Sequence, residues 1–153
     1  MSMYENVCDF NKQFGVEQSS KSLLNDEQFI NTRMELIREE MRELEEAVKN
    51  KDMTETIDAL TDILYVTLGM GFSLDIDLDK SFTIVHESNM SKMCDTEEQA
   101  IKTVEWYKTN DNRYDSPAYR KNKSGKYIVY NASTRKILKS IDYKPAVFNI
   151  QEL

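Results

Sequence analysis

The chain is short of the residues that small disulfide-bonded, zinc-binding or all-β proteins depend on. Its 153 residues include two cysteines, two prolines, four glycines and one histidine. Cys8 and Cys94 stand far apart in no CxxC pair, which argues against a disulfide framework. With His86 as the sole histidine, a zinc site is not expected. So few glycines and prolines argue against a loop-rich or all-β chain. No apolar run approaches the roughly 20 residues that span a bilayer. The opening MSMYENVCDF has neither the basic nor the apolar region of a signal peptide. These absences predict reduced thiols, a cytoplasmic setting and no membrane partner.

Basic charge is also in deficit. Twenty Lys and Arg face 27 Asp and Glu, giving a net charge of −7 and a pI near 4.8. That disfavours a nucleic-acid polymer as partner. It does not disfavour a nucleotide that arrives with its own metal. What remains is ordinary globular composition, 40% hydrophobic and 10% aromatic, at a length that suits one domain. The chain reads as a single domain, 1–153, with a helical core over 1–108. A loop, a hairpin and a tail follow over 109–153.

Hydrophobic spacing lays out the helices. Met3, Val7, Phe10 and Phe14 predict a first helix that ends before Gly15. The loop VEQSSKSLL follows. Asn25 to Gln28 offers a capping box for a long second helix, and Asp52 to Glu55 offers one for a third, which Gly69 and Gly71 would stop. The second helix carries Phe29, Ile30, Met34, Ile37, Met41, Leu44 and Val48, mostly at spacings of three and four. The third is apolar nearly all round after Thr61. One layer of helices cannot cover it, so a homodimer or homotetramer is expected.

Acidic residues interrupt both of these helices where apolar ones are expected. At about 100° per residue, Glu40 falls inside the apolar arc, Glu43 at its edge and Glu39 one step further out. On the next helix Glu55, Asp58 and Asp62 lie within roughly 60° of one another. Like charges 4 Å apart repel by about 4 kcal/mol at an effective dielectric near 20. A divalent cation between the two rows relieves this, and all-oxygen ligation suits Mg²⁺ or Mn²⁺. The competing reading is a solvated charged face, which Glu35, Glu45 and Glu46 fit better than Glu40, Asp58 and Asp62.

A fourth helix, LDKSFTIVHESNMSKM, would turn Leu78, Phe82, Val85, Asn89 and Met93 inward. Asn89, with Ser88 and Lys92 beside it, then points to a ligand or else to a helix-to-helix hydrogen bond. His86 lies off that face. Thr96 to Gln99 caps a short helix bearing Ala100, Val104 and Tyr107. Asn110–Lys126 reads as a polar loop whose basic and tyrosine residues could cover a phosphate, a solvated run being the simpler reading. Lys126–Tyr130 and Lys136–Ile141 read as the strands of a hairpin around Asn131–Arg135. In the tail, Phe148 would dock on the body.

Taken in order, three motifs form a pattern. They are Glu39-Glu40-Met41-Arg42-Glu43, then Glu55 and Asp58 with Asp62 and Tyr65, then Ser88-Asn89-Met90-Ser91-Lys92. The pattern resembles the all-α NTP pyrophosphohydrolase superfamily, which includes MazG-like proteins, dimeric dUTPases and phosphoribosyl-ATP pyrophosphohydrolase-like proteins. Lys136–Phe148 resembles the GKVLKxxxYxxP tail of phage-encoded members, with Arg135 in place of the glycine. The likeness runs loosely from Val7 to Phe148.

The resemblance implies a four-to-five-helix bundle with a small C-terminal β-hairpin, in the host cytoplasm if the chain is viral. It implies hydrolysis of a (d)NTP to (d)NMP and pyrophosphate, in nucleotide-pool housekeeping. Glu39, Glu40, Glu43, Glu55 and Asp58 would hold Mg²⁺, with Mn²⁺ possible, and Glu39 or Glu40 would orient the water. Asp62 would stand behind them as an auxiliary ligand, and Asn89 and Lys92 would hold phosphate oxygens. By a looser likeness to dimeric dUTPases, Asn11, Gln13 and Phe14 would touch the base. On the residues alone, Phe14 reads as core, and Asn11 and Gln13 as solvent-facing. Two alternatives are phosphoribosyl-ATP hydrolysis and a non-catalytic acidic helical interaction protein.

Overall fold

The computed structural model describes residues 1–16 and 20–153, so Glu17–Ser19 of the expected loop fall outside the described residues. Five helices and a hairpin follow in order. They are α1 (Met3–Gln13), α2 (Glu27–Asn50), α3 (Met53–Ser73), α4 (Leu78–Met90), α5 (Glu97–Asn110), β1 (Pro117–Lys121) and β2 (Tyr127–Asn131). The chain is mainly α with a small C-terminal hairpin, as expected. Its contacts group into two compact units, one of residues 1–81 with 149–153 and one of residues 82–148.

The first unit holds α1 to α3. Ser2 and Glu5 form a reciprocal capping box at the start of α1. Asp26, not Asn25, caps α2, its Oδ1 accepting from the Phe29 N–H at 2.9 Å. Asn25 instead closes a 3-10 turn, Lys21–Asn25. Lys51 ends α2 in the left-handed region at φ 57°. Asp52 then caps α3, accepting from the Thr54 and Glu55 N–H groups. So short a join makes α2 and α3 neighbours along their length.

α3 does not stop at Gly69 and Gly71 but runs on to Ser73. Both glycines serve close packing. A methyl at Gly69 would touch Val7, and one at Gly71 would strike the side chain of Leu78. The core of this unit is Val7, Ala47, Ala59, Phe72 and Leu74. The C-terminus is tied down where the Leu153 carbonyl accepts from the Asp77 N–H at 2.8 Å.

The second unit is built on α5, capped by Thr96 Oγ1, which accepts from the Gln99 N–H. Its Ala100, Val104 and Tyr107 pack with Cys94, Val129 and Leu138. Both cysteines are free thiols, Cys94 buried and Cys8 half-buried.

The hairpin differs from the expected one. Lys126–Tyr130 does fall on a strand, β2, but its partner is β1, inside the stretch read as a polar loop. Residues 136–141 contribute only a single bridge, Ile137 to Tyr130. Local turn chemistry decides this. Asn122 Oδ1 accepts from the Ser124 N–H and hydroxyl and from the Lys126 N–H, and Gly125 takes φ 87°. Beyond β2, the Asn131 side chain is buried. Its Nδ2 has Asp115 Oδ1, Ser133 Oγ and Thr134 Oγ1 within 3.1 Å, and its Oδ1 accepts from the Ser116 N–H.

α4 is rotated from expectation and ends at Met90, short of Met93. Ser88 is its buried residue, while Phe82, Val85 and Asn89 are exposed. The Ser88 hydroxyl lies 2.8 Å from the Lys144 carbonyl and 3.0 Å from the Tyr143 hydroxyl. A small residue there lets the tail pass close. Phe148 itself remains half-exposed at 46%.

Candidate active site

The first unit turns the Glu40 carboxylate inward. It is half-buried, and its Oε2 is enclosed with no hydrogen-bond partner among the described residues. Burial pushes its carboxyl above the usual carboxylate range, and the charges of Glu43, Asp62, Glu39 and Asp58 push it further. Four further acids from α2 and α3 are therefore within electrostatic reach of Glu40.

Asp62 is half-buried, and Glu39, Glu43 and Glu55 are exposed. Asp58 was expected to point inward and is exposed, because nothing among the described residues covers that flank of α3. No Lys or Arg pairs with any of the six acids among the described residues, whereas Glu35 takes Arg38 at 2.6 Å. The donor set is all oxygen and so fits Mg²⁺ or Mn²⁺. No three acid, histidine or cysteine side chains among the described residues stand as a ready-formed ligand set.

The Glu40 shift carries a stability prediction. A folded-state pKa above the unfolded one favours the fold at low pH, and that gain is lost as pH rises through the folded value. Metal-free protein should therefore lose thermal stability as pH rises above the ordinary carboxyl range. Glu40→Gln should flatten the curve and match or exceed the parent at neutral pH. Thermal unfolding in EDTA over that rise in pH checks this, and identical slopes would contradict it.

Asn89 and Lys92 lie in the second unit, where the Lys92 ammonium donates to Asn89 Oδ1 at 2.7 Å. His86 is exposed, its ring parallel to Phe82 at 6.4 Å. The base-contact trio is redistributed. Asn11 is buried and not solvent-facing, and its Nδ2 donates to the Val7 carbonyl one turn back. Gln13 is exposed. Phe14 is not core but 71% exposed, stacked on Phe10 at 4.3 Å. Phe10 meets Tyr65 edge-on at 5.5 Å. The three rings form one partly exposed aromatic group, whose signal in the sequence is spacing, with Phe10 and Phe14 one turn apart and Tyr65 one turn beyond Asp62.

α3 also leaves a stripe uncovered. Met53, Ile57, Leu60 and Leu64 recur at four, three and four, and each is about half-exposed or more. This stripe lies about 160° around the helix from Glu55, Asp58 and Asp62. No single helix among the described residues is long and apolar enough to cross a membrane.

An uncharacterised protein of Acanthamoeba polyphaga mimivirus is 27% identical, with 92% of each chain covered. The family profile described as phosphoribosyl-ATP pyrophosphohydrolase matches residues 7–89, which run from Val7 within α1 through both acid-bearing helices to Asn89 in α4. On that match over more than half its length, the chain belongs to the phosphoribosyl-ATP pyrophosphohydrolase family, and with it to the MazG-like all-α NTP pyrophosphohydrolase superfamily.

Proposed function

We propose that the protein hydrolyses the α–β phosphate bond of a nucleoside triphosphate, in a Mg²⁺-dependent reaction that yields the monophosphate and pyrophosphate. The observation that carries this reading is the orphaned Glu40 oxygen, set among four further acids with no basic partner. A triphosphate is heavily anionic, so such a pocket admits it only with a divalent ion between them. Glu39, Glu40, Glu43, Glu55 and Asp58 would hold that ion once the exposed side chains turn inward, with Asp62 steadying them. When bound, the ion neutralises charge on the phosphate oxygens.

Either Glu39 or Glu40 then orients the attacking water and takes its proton. Glu40 suits the second task, since its raised pKa lies nearer neutrality. Phosphoryl transfer asks for positioning and charge compensation more than covalent help. Asn89 and Lys92, already paired with each other, are of the donor and cation types that phosphate oxygens take, and the resemblance makes them the candidates for that contact. The exposed Phe14 ring, braced by Phe10, offers the base a stacking surface.

A second copy of the chain covers the α3 stripe in this reading, as a homodimer or homotetramer. The stripe and the acids face opposite ways, so a partner seated on the stripe leaves the acid flank open to substrate.

A substrate panel tests the proposal. The protein is incubated with NTPs, dNTPs and phosphoribosyl-ATP plus Mg²⁺, and the nucleotide products are resolved from pyrophosphate. Monophosphate and pyrophosphate are expected from one or more triphosphates, with no turnover in EDTA. Release of orthophosphate alone, or no turnover at all, would reject it. The family match favours a second reading, phosphoribosyl-ATP itself as substrate. Faster turnover of that compound than of every (d)NTP would select it.

A further inference from the structure

The hairpin presents two faces. Strand alternation places Tyr119 and Val129 on the face towards the core, and Ala118, Arg120, Ile128 and Tyr130 on the other. On that outer face Arg120, Tyr130, Ala132, Arg135 and Ile137 line a cleft of about 400 Å³. Two guanidinium groups thus border one small hollow. Among the described residues neither has a carboxylate partner, although the same unit neutralises Arg113 with Asp111 and Lys126 with Asp95. Arg120 lies over the Tyr130 ring at 5.6 Å, which fixes one guanidinium at the wall. Arg135 is carried on a left-handed residue at φ 60°.

The surroundings favour an anion. Residues 113–144 carry nine Lys or Arg against two acids, in a chain whose net charge is −7. Of those acids, Asp115 is occupied by donors from Ser133, Asn131 and Ser116, which hold its carboxyl down to about 2. Asp142 accepts from Gln99. A guanidinium fork matches the oxygens of a phosphate, and two forks at one hollow match two edges of it.

We infer that this cleft, bordered by Arg120 and Arg135, binds the phosphate group of a small anion such as inorganic pyrophosphate or a nucleotide. A single nucleic-acid strand fits less well. Strand-binding surfaces need open aromatic faces for successive bases, and the face of Tyr130 is already taken by Arg120. The inference does not rest on the proposed catalytic activity.

Isothermal titration of the full chain with sodium pyrophosphate in EDTA at low ionic strength tests it. Without divalent ions the acidic rows repel the anion, so the titration reads the cleft. Saturable binding of one anion per chain is expected. Arg120→Ala with Arg135→Ala should weaken it about tenfold or more, and the Lys pair should fall between. Circular dichroism should be unchanged, since both side chains lie on the surface. No saturable heat, equal binding by the double alanine variant, or binding of an oligothymidylate but not of pyrophosphate would each overturn the assignment.

Discussion

Glu43→Gln or Asp58→Asn will lower pyrophosphate release by about a thousandfold, the scale on which loss of one group that stabilises developing charge is felt. Neither substitution will unfold the protein. Both side chains are exposed, and both add to the negative charge around Glu40. Removing either lessens repulsion, so the metal-free variants should melt at or above the parent temperature. A coupled pyrophosphate assay gives the rate and calorimetry in EDTA gives the melting point. Full activity in both variants would remove Glu43 and Asp58 from the site. Lost activity with a collapsed melting point would make their role structural.

The second large effect concerns assembly. Ile57→Glu with Leu64→Asp puts charge into the uncovered α3 stripe, where burial of each apolar side chain is worth about 1.5–3 kcal/mol. A two-fold interface counts every substitution twice. The double variant should therefore elute as a monomer of 17.9 kDa, and the parent as a multiple of that mass. Light scattering on the eluting peak measures both. A parent that is already monomeric, or a variant of unchanged mass, would contradict the proposed homo-oligomer.

The helices could be read from spacing because each buries one face. The inward turn of Glu40 could be read because it interrupts an apolar arc that packing must fill. Positions that depend on neighbours distant in sequence could not. Asn11 reads as a solvent residue only because it is polar, yet it lies one turn from Val7, is buried, and donates within its own helix. Phe14 looks like core but follows α1 as its C-terminal cap, where Phe10 stacks on it and it stays 71% exposed among the described residues. The rotation of α4 depends on the tail reaching Ser88 from 55 and 56 positions away, which periodicity does not encode. β1 was hidden because Pro117–Lys121 is polar at its solvent end, and its register is set by Asn122 and Asn131 on either side.

Asn131 has a consequence of its own. Its amide joins residues 115, 116, 133 and 134, which belong to no strand or helix. Sliding the two strands by one position would strip this group of its partners beside β1, Asp115 and Ser116, at once. The clasp therefore makes misalignment an all-or-nothing event, and a ribbon of five residues per strand keeps one alignment without needing greater length.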